Sequence, residues 1–89
     1  MSNRFEGGLS RLIRHRREEL NLTQAEVATK VGVTSDAITL VELGYRRLDL
    51  DRIPALADAL KLNRRQLCRQ ALQERAPELY QQLFRSKAA

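Results

Sequence analysis

The sequence is poor in the residues that disulfides, metal sites and membrane spans require. Its 89 residues include a single cysteine, Cys68, and a single histidine, His15. No disulfide can therefore form within the chain, and no metal-ligand spacing exists. No apolar run approaches the ~18 residues of a membrane span, and the first residues lack the apolar stretch of a signal peptide. We therefore expect a cytoplasmic protein without a metal or cofactor.

Sequence patterns of catalysis are also missing. The chain has no Ser/His/Asp set, no paired carboxylates and no phosphate-binding glycine loop, so we expect no enzymatic activity. Hydrophobic residues make up 43% of the chain and charged residues 30%. This balance is typical of a globular protein and too apolar for a disordered one. A chain of 89 residues is expected to fold as one domain.

Positive charge is in excess and unevenly placed. The chain has 16 Lys and Arg against 11 Asp and Glu, which gives a net charge of +5. Residues 61–69 contain basic side chains and no acid. Such runs are typical of solvated helix faces and also of proteins that bind polyanions. A second basic run opens the chain and contains Arg4, Arg11, Arg14, Arg16 and Arg17.

Apolar spacing and capping residues predict two helices in the first third of the chain. An apolar stripe predicts helix 1 over about residues 9–20, with Arg16 as its one polar position. Thr23 and Glu26 then form the pattern of a capping box, which opens a second helix. Gly32 is expected to end that helix, because glycine readily adopts the left-handed conformation of a C-cap.

The middle of the chain predicts two more helices. Thr34 or Ser35 is expected to cap helix 3, and Gly44 to end it. Asp51 is expected to be the N-cap of helix 4. With that start Pro54 falls in the first turn, where its missing N–H breaks no helical hydrogen bond.

The last third of the chain is also predicted to be helical. Asn63 has the character of an N-cap and opens a helix over about residues 64–74, and Pro77 begins a last short helix. β-Branched residues nowhere alternate over the length of a strand. The sequence therefore predicts an all-α fold with five or six helices.

Residues 24–43 contain the most specific pattern in the sequence. Ala28 is small enough for a second helix to approach closely, and Gly32 follows four residues later in a turn that needs positive φ. Ile38 and Val41 are spaced to hold the second helix against the first. This order of a small residue, a glycine and two β-branched residues is typical of a helix-turn-helix motif.

Several segments match one known family in the same register. They are residues 17–24, 26–28, 32–34, 41–44 and 53–60. Through these segments the chain resembles the Xre/Cro-like family of bacterial and phage regulators over roughly residues 9–68. Small stand-alone members of that family include phage regulators, restriction controllers and antitoxins. The resemblance implies a lambda-repressor-like fold and a DNA-binding domain over residues 9–74.

The resemblance also implies a function. It implies a transcriptional regulator, either a repressor or an autoregulator, that binds a palindromic operator in double-stranded DNA as a homodimer. Helix 3 would lie in the major groove, and Gln24 matches a residue that bonds a phosphate. Arg17 and Glu42 match a structural ion pair of the family. The positions that the resemblance implies for DNA binding are Gln24, Thr34, Ser35, Asp36, Thr39, Leu40, Tyr45, Arg46 and Arg47.

The face of helix 3 that should read bases departs from the family pattern. It has no Arg, Lys, Gln or Asn, the side chains that make bidentate contacts with purines. Asp36 can accept a hydrogen bond from cytosine, and Leu40 can contact only a thymine methyl group. Tyr45 stands where Lys or Arg usually follows the glycine, and it either donates to a phosphate or packs on helix 4. A second function therefore stays open: an antitoxin or adaptor that mainly binds a partner protein such as a toxin.

Both ends of the chain lie outside the resemblance. Residues 1–8 are expected to form a flexible arm, from which Arg4 could reach a DNA groove. Residues 75–89 are expected to form a C-terminal helix that either closes the core of the domain or builds a two-fold interface. We favour the two-fold interface, because a helix-turn-helix protein of this size needs a second copy to reach both half-sites of an operator. Its apolar residues at helical spacing are Leu79, Tyr80, Leu83 and Phe84.

Overall fold

A computed structural model describes residues 8–84, and this part of the chain forms six α-helices and one 3₁₀ turn. No strand occurs within these residues, and the predicted all-α class is confirmed. Arg4, most of the predicted N-terminal arm, and residues 85–89 lie outside the described residues. The helices are α1 (Gly8–Glu19), α2 (Gln24–Val31), α3 (Ser35–Leu43), α4 (Ile53–Ala59), α5 (Arg64–Arg75) and α6 (Pro77–Phe84).

Side-chain caps set the starts of α2 and α3. The Thr23 hydroxyl accepts a hydrogen bond from the Glu26 backbone N–H at 3.0 Å, and the Glu26 carboxylate accepts one from the Thr23 N–H at 2.7 Å. This geometry confirms the predicted capping box. For α3, the Thr34 hydroxyl accepts from the Ala37 N–H at 3.1 Å. Thr34 is therefore the N-cap, and Ser35 is the first residue of the helix.

Two glycines end these helices in the left-handed conformation. Gly32 follows α2 with a φ of 85°, and Gly44 follows α3 with a φ of 84°. Their backbone N–H groups donate to carbonyls in the last turn of the preceding helix. The chain can therefore turn sharply between α2 and α3, as the helix-turn-helix spacing requires.

The start of α4 differs from the prediction. A 3₁₀ turn, Leu50–Arg52, leads directly into α4, and no side-chain hydrogen bond caps the helix. The expectation that Asp51 caps this helix is therefore wrong. The backbone supplies the missing acceptors instead, because the Asp49 carbonyl accepts from the Arg52 N–H and the Leu50 carbonyl accepts from the Ile53 N–H.

The core is built from the apolar faces of the first five helices. Its fully buried large side chains contribute about 1.5–3 kcal/mol each through removal of apolar surface from water. The closest packing between helices is that of α2 against α3 and of α4 against α5. The largest fully buried residues are Ile13, Val27, Ile38, Ile53, Leu56 and Leu60.

Charged side chains from distant parts of the chain satisfy several helix ends. Arg16 donates to the carbonyl of Leu60 at 2.9 Å, at the end of α4, which explains the polar position in the apolar stripe of α1. Glu74 accepts from the backbone N–H of Leu9 at 2.9 Å, at the start of α1. Arg52 donates to the carbonyl of Val31 at 3.0 Å, at the end of α2. These bonds satisfy backbone groups at the helix ends that have no partner within the helix.

The C-terminal helix α6 packs on α5 and leaves two leucines outside the core. The rings of Tyr80 and Phe84 lie 5.3 Å apart, and the Arg69 guanidinium lies 5.0 Å from the centre of the Phe84 ring. Leu79 and Leu83 are 49% and 58% exposed. The leucine face of α6 is therefore open in the single chain.

None of the helices within residues 8–84 has both the length and the apolarity needed to cross a membrane.

Candidate nucleic-acid interface

The helix α3 has one buried and one exposed face. Ile38 and Val41 are buried against the core, together with Ala37. Ser35 and Asp36 are exposed, and Leu40 keeps 39% of its surface exposed. Asp36, Leu40 and the exposed Leu43 recur at helical spacing and therefore lie on one face of α3. This face is where side chains could reach the base edges in a major groove.

A buried ion pair connects α1 to the end of α3. Arg17 donates to both carboxylate oxygens of Glu42, from Nε to Oε2 at 2.7 Å and from Nη2 to Oε1 at 3.0 Å. The side chains are 13% and 3% exposed. The hydrogen bond to Glu42 raises the pKa of Arg17, although burial opposes this change. The structural pair that the family resemblance implied is thus present, and Arg17 also donates to the carbonyl of Leu22 at 2.9 Å.

Gln24, the first residue of α2, is held by two side chains of α3. Its amide nitrogen donates to Oε1 of Glu42 at 3.1 Å, and its amide oxygen accepts from the Thr39 hydroxyl at 2.7 Å. Thr39 is half-buried and its hydroxyl also lies 3.1 Å from the carbonyl oxygen of Ser35. The residue implied as a phosphate contact is therefore fixed in place by hydrogen bonds.

The loop after α3 places basic side chains beside the start of that helix. Tyr45, Arg46 and Arg47 are all exposed. Arg46 and Arg47 line an open groove of about 590 Å³, and Thr34 and Ala37 line the same groove from the α3 side. The structure therefore brings the basic loop and the N-terminal end of α3 together on one surface.

Two further arginines of this groove were not identified from the sequence. Arg52 precedes α4 and Arg75 ends α5, and both line the groove with Arg46 and Arg47. Arg75 donates to the carbonyl of Leu48. A basic residue at the start of α4 was visible in the sequence, but no local pattern relates Arg75 to a loop 27 residues away.

Several of the predicted DNA-binding residues line two openings beside α3, and the predicted dimerisation residues lie on α6. Gln24, Thr39 and Leu43 border a second cleft of about 200 Å³, on the side of α3 next to α1. The basic groove borders Thr34 at the other end of the helix. The α6 residues pack on α5. None of the α6 residues lines the basic groove or this cleft.

The comparisons with known proteins agree with this architecture. A family model described as helix-turn-helix matches residues 13–67. Among solved structures, the chain is similar to the restriction-modification controller protein C.AhdI from Aeromonas hydrophila, with 30% sequence identity and a TM-score of 0.60. The likeness covers 66% of this chain and 86% of that one. A search of curated protein sequences gave no match.

Proposed function

We propose, since the chain belongs to the helix-turn-helix family of DNA-binding transcriptional regulators, that it acts as a homodimer on a palindromic operator and represses transcription from it. The observation that carries this proposal is the geometry of α3. One face of the helix is buried against α2 and α1, and the other is exposed between a basic groove and a second cleft. A helix held in this way can enter a major groove as a rigid element.

Phosphate contacts on both sides of α3 would fix its position on the duplex. Arg46 and Arg47 are exposed beside the start of the helix, where they can reach backbone phosphates. On the other side, Gln24 borders the second cleft and has its amide held by two hydrogen bonds. Contacts of this kind set register and orientation, and they supply a large share of the affinity.

Base recognition would rest on few groups. Ser35, Asp36, Leu40 and Leu43 are the exposed residues of α3. Leu40 can contact a thymine methyl group, and Asp36 can accept a hydrogen bond from the amino group of cytosine. Such contacts discriminate between base pairs less strongly than bidentate hydrogen bonds with purines do. We therefore propose that the symmetry and spacing of two half-sites add to the specificity of this regulator.

The second half-site requires a second copy of the chain. Leu79 and Leu83 expose an apolar face of α6, and pairing of this face with its copy would remove it from water. Tyr80 and Phe84 complete the proposed interface from the side that contacts α5. In a dimer that binds adjacent major grooves, the two α3 helices would lie about 34 Å apart.

The regulated genes are proposed from the structural likeness. The similar solved structure is that of a restriction-modification controller protein. We propose an equivalent role here, in which the protein represses its own promoter and that of a neighbouring operon. Repression of its own promoter would keep the protein concentration near the dissociation constant of the operator.

A titration with the DNA upstream of its own gene tests the proposed function. The probes are that promoter duplex and a scrambled duplex of equal length, both at one fixed salt concentration. We expect tighter binding to the promoter, two chains per duplex by sedimentation, and a two-fold symmetric footprint. Equal affinity for both duplexes would exclude sequence-specific regulation.

A second candidate function is favoured by the composition of the α3 face. Within the described residues, this face has no side chain that can make a bidentate contact with a purine. A protein of this fold could instead act mainly as an antitoxin or adaptor for a partner protein. Under this alternative, the promoter titration would show only weak binding of equal strength to both duplexes.

A further inference from the structure

We propose that Thr39 does not read a base but positions the amide of Gln24 for a DNA phosphate. This inference rests on the proposed function and assigns Thr39 a role within it. Thr39 is a positioning residue because it would act on DNA only through Gln24. The evidence is a chain of hydrogen bonds that runs from α1 through α3 to the start of α2.

The one donor hydrogen of the Thr39 hydroxyl is already used within the protein. A threonine hydroxyl has one hydrogen, and its two nearby acceptors are the amide oxygen of Gln24 at 2.7 Å and the carbonyl oxygen of Ser35 at 3.1 Å. The shorter distance favours the Gln24 amide oxygen as the acceptor of this hydrogen. Donation to a base edge would require this bond to break and the hydroxyl to rotate toward the DNA. The half-buried position of Thr39 disfavours this rotation.

The orientation of the Gln24 amide follows from its two partners. The Glu42 carboxylate can only accept hydrogen bonds, so the amide nitrogen must face it and the amide oxygen must face Thr39. The amide nitrogen has two hydrogens, and the contact with Glu42 uses one of them. The second hydrogen is the donor that a phosphate oxygen would accept.

The position of Glu42 is in turn fixed by Arg17. Both carboxylate oxygens of Glu42 accept from this guanidinium, and the carboxylate is almost fully buried. Gln24, Thr39 and Glu42 all border the cleft of about 200 Å³ beside α3, as does Arg14 of α1. The amide is thus rigidly held and yet lies at a surface that a phosphate can approach. Such preorganisation removes the entropic cost of ordering a glutamine side chain on binding.

Three variants separate positioning from base reading. Thr39→Val removes the hydroxyl and keeps the branched shape, and Thr39→Ser keeps the hydroxyl. Thr29→Val is the matched control, because Thr29 on α2 makes the same type of bond to a carbonyl four residues earlier, at 3.0 Å, but no bond to Gln24. Each variant is titrated in the full chain against the promoter duplex and the scrambled duplex.

We expect Thr39→Val to weaken binding to both duplexes equally, by about two- to tenfold, as loss of one hydrogen bond predicts. Thr39→Ser and Thr29→Val should bind as the unmodified protein does. In a Gln24→Ala background, Thr39→Val should have no further effect. A loss that is confined to the promoter duplex and persists in the Gln24→Ala background would assign Thr39 to base reading and overturn the proposal. Unchanged binding by Thr39→Val would overturn it as well.

A measurement on the free protein keeps this result separate from the proposed function. The side-chain amide of Gln24 should give a rigid NMR signal in the unmodified protein and a mobile one in Thr39→Val. A mobile signal in both proteins would show that Thr39 does not position the amide, whatever the DNA result. A rigid signal in the unmodified protein together with failure to bind either duplex would refute the proposed function, and with it the role of Gln24 toward phosphate.

Discussion

Glu42 is the residue on which the hydrogen bonds of the proposed interface converge. It accepts two bonds from Arg17 and one from Gln24, and its side chain is only 3% exposed. A buried carboxylate needs all of these donors because it has lost its hydration. The same residue thus stabilises the contact between α1 and α3 and holds Gln24, the side chain that we propose contacts a phosphate.

Removal of Arg17 should therefore destabilise the fold. Arg17→Ala leaves the Glu42 carboxylate buried with only the Gln24 amide as a donor, and we expect the free energy of unfolding to fall by about 3 kcal/mol. The matched control is Arg14→Ala, since the pair of Arg14 with Glu18 is exposed and contributes within about 0.5 kcal/mol. Urea unfolding of both variants measures the difference. Equal losses would show that the buried pair adds nothing beyond a surface pair.

Asp36 is the least favourable residue for DNA on the exposed face of α3. Its carboxylate can accept from cytosine but repels every flanking phosphate. Asp36→Ala should bind scrambled DNA more tightly, while the preference for the promoter duplex becomes smaller. Titrations at one salt concentration measure both effects. They are made well below the melting temperature, because Asp36 also stabilises the first turn of α3 by a few tenths of a kcal/mol and its loss should not be mistaken for a loss of affinity. An equal loss of affinity for both duplexes would assign Asp36 to the fold instead.

At the level of elements, residues of α3 and of the loop after it line the same groove. Thr34 caps the start of the helix, and Gly44 ends it in the left-handed conformation. The chain then places Arg46 and Arg47 beside the groove that Thr34 also lines. The loop after α3 thus lies beside the N-terminal end of that helix. One short segment can therefore supply both base contacts and phosphate contacts.

Replacement of the two loop arginines should change the salt dependence of binding. The double variant Arg46→Ala/Arg47→Ala should bind all duplexes more weakly, and the slope of log K against log salt should fall by about 0.9 for each lost phosphate contact. Arg65→Ala, on the exposed surface of α5, serves as the control and should keep the slope. An unchanged slope in the double variant would remove the loop from the interface.

At the level of the whole molecule, α6 has an exposed apolar face, for which we propose a role in dimerisation. A deletion of α6 with the end of α5 would not test this role cleanly, because Glu74 caps α1 and Arg75 holds the loop at Leu48. Substitution of the exposed leucines leaves these bonds intact. The proposed dimer is therefore best tested within the full chain.

The double variant Leu79→Ser/Leu83→Ser should convert the dimer to a folded monomer with weaker operator binding. Its cooperative melting should persist, since both side chains are about half exposed in the single chain. Sedimentation across a concentration series measures the association, and Gln81→Ser/Gln82→Ser on the same helix is the matched control. If the leucine variant associates as the unmodified protein does, or if it loses cooperative melting, α6 does not have this role.

The features that were read correctly from the sequence depend on residues close together in the chain. The Thr23 and Glu26 capping box, the turn at Gly32 and the buried pair of Ile38 and Val41 all lie within one helix or one turn. Helix capping and left-handed glycine are local preferences, and apolar spacing shows which face of a helix is buried. These local rules were sufficient for the all-α class, the order of the helices and the helix-turn-helix motif, whereas the number of helices stayed open between five and six.

The remaining features depend on partners that the local sequence does not specify. Arg16 caps α4 from 44 residues away, and Glu74 caps α1 from 65 residues away. The inward orientation of Thr39 depends on Gln24, which is on another helix. The start of α4 required the 3₁₀ turn, whose backbone carbonyls replaced the expected Asp51 cap. A polar side chain binds whichever donor or acceptor the packed helices bring to it, so its partner is defined only after the helices have packed.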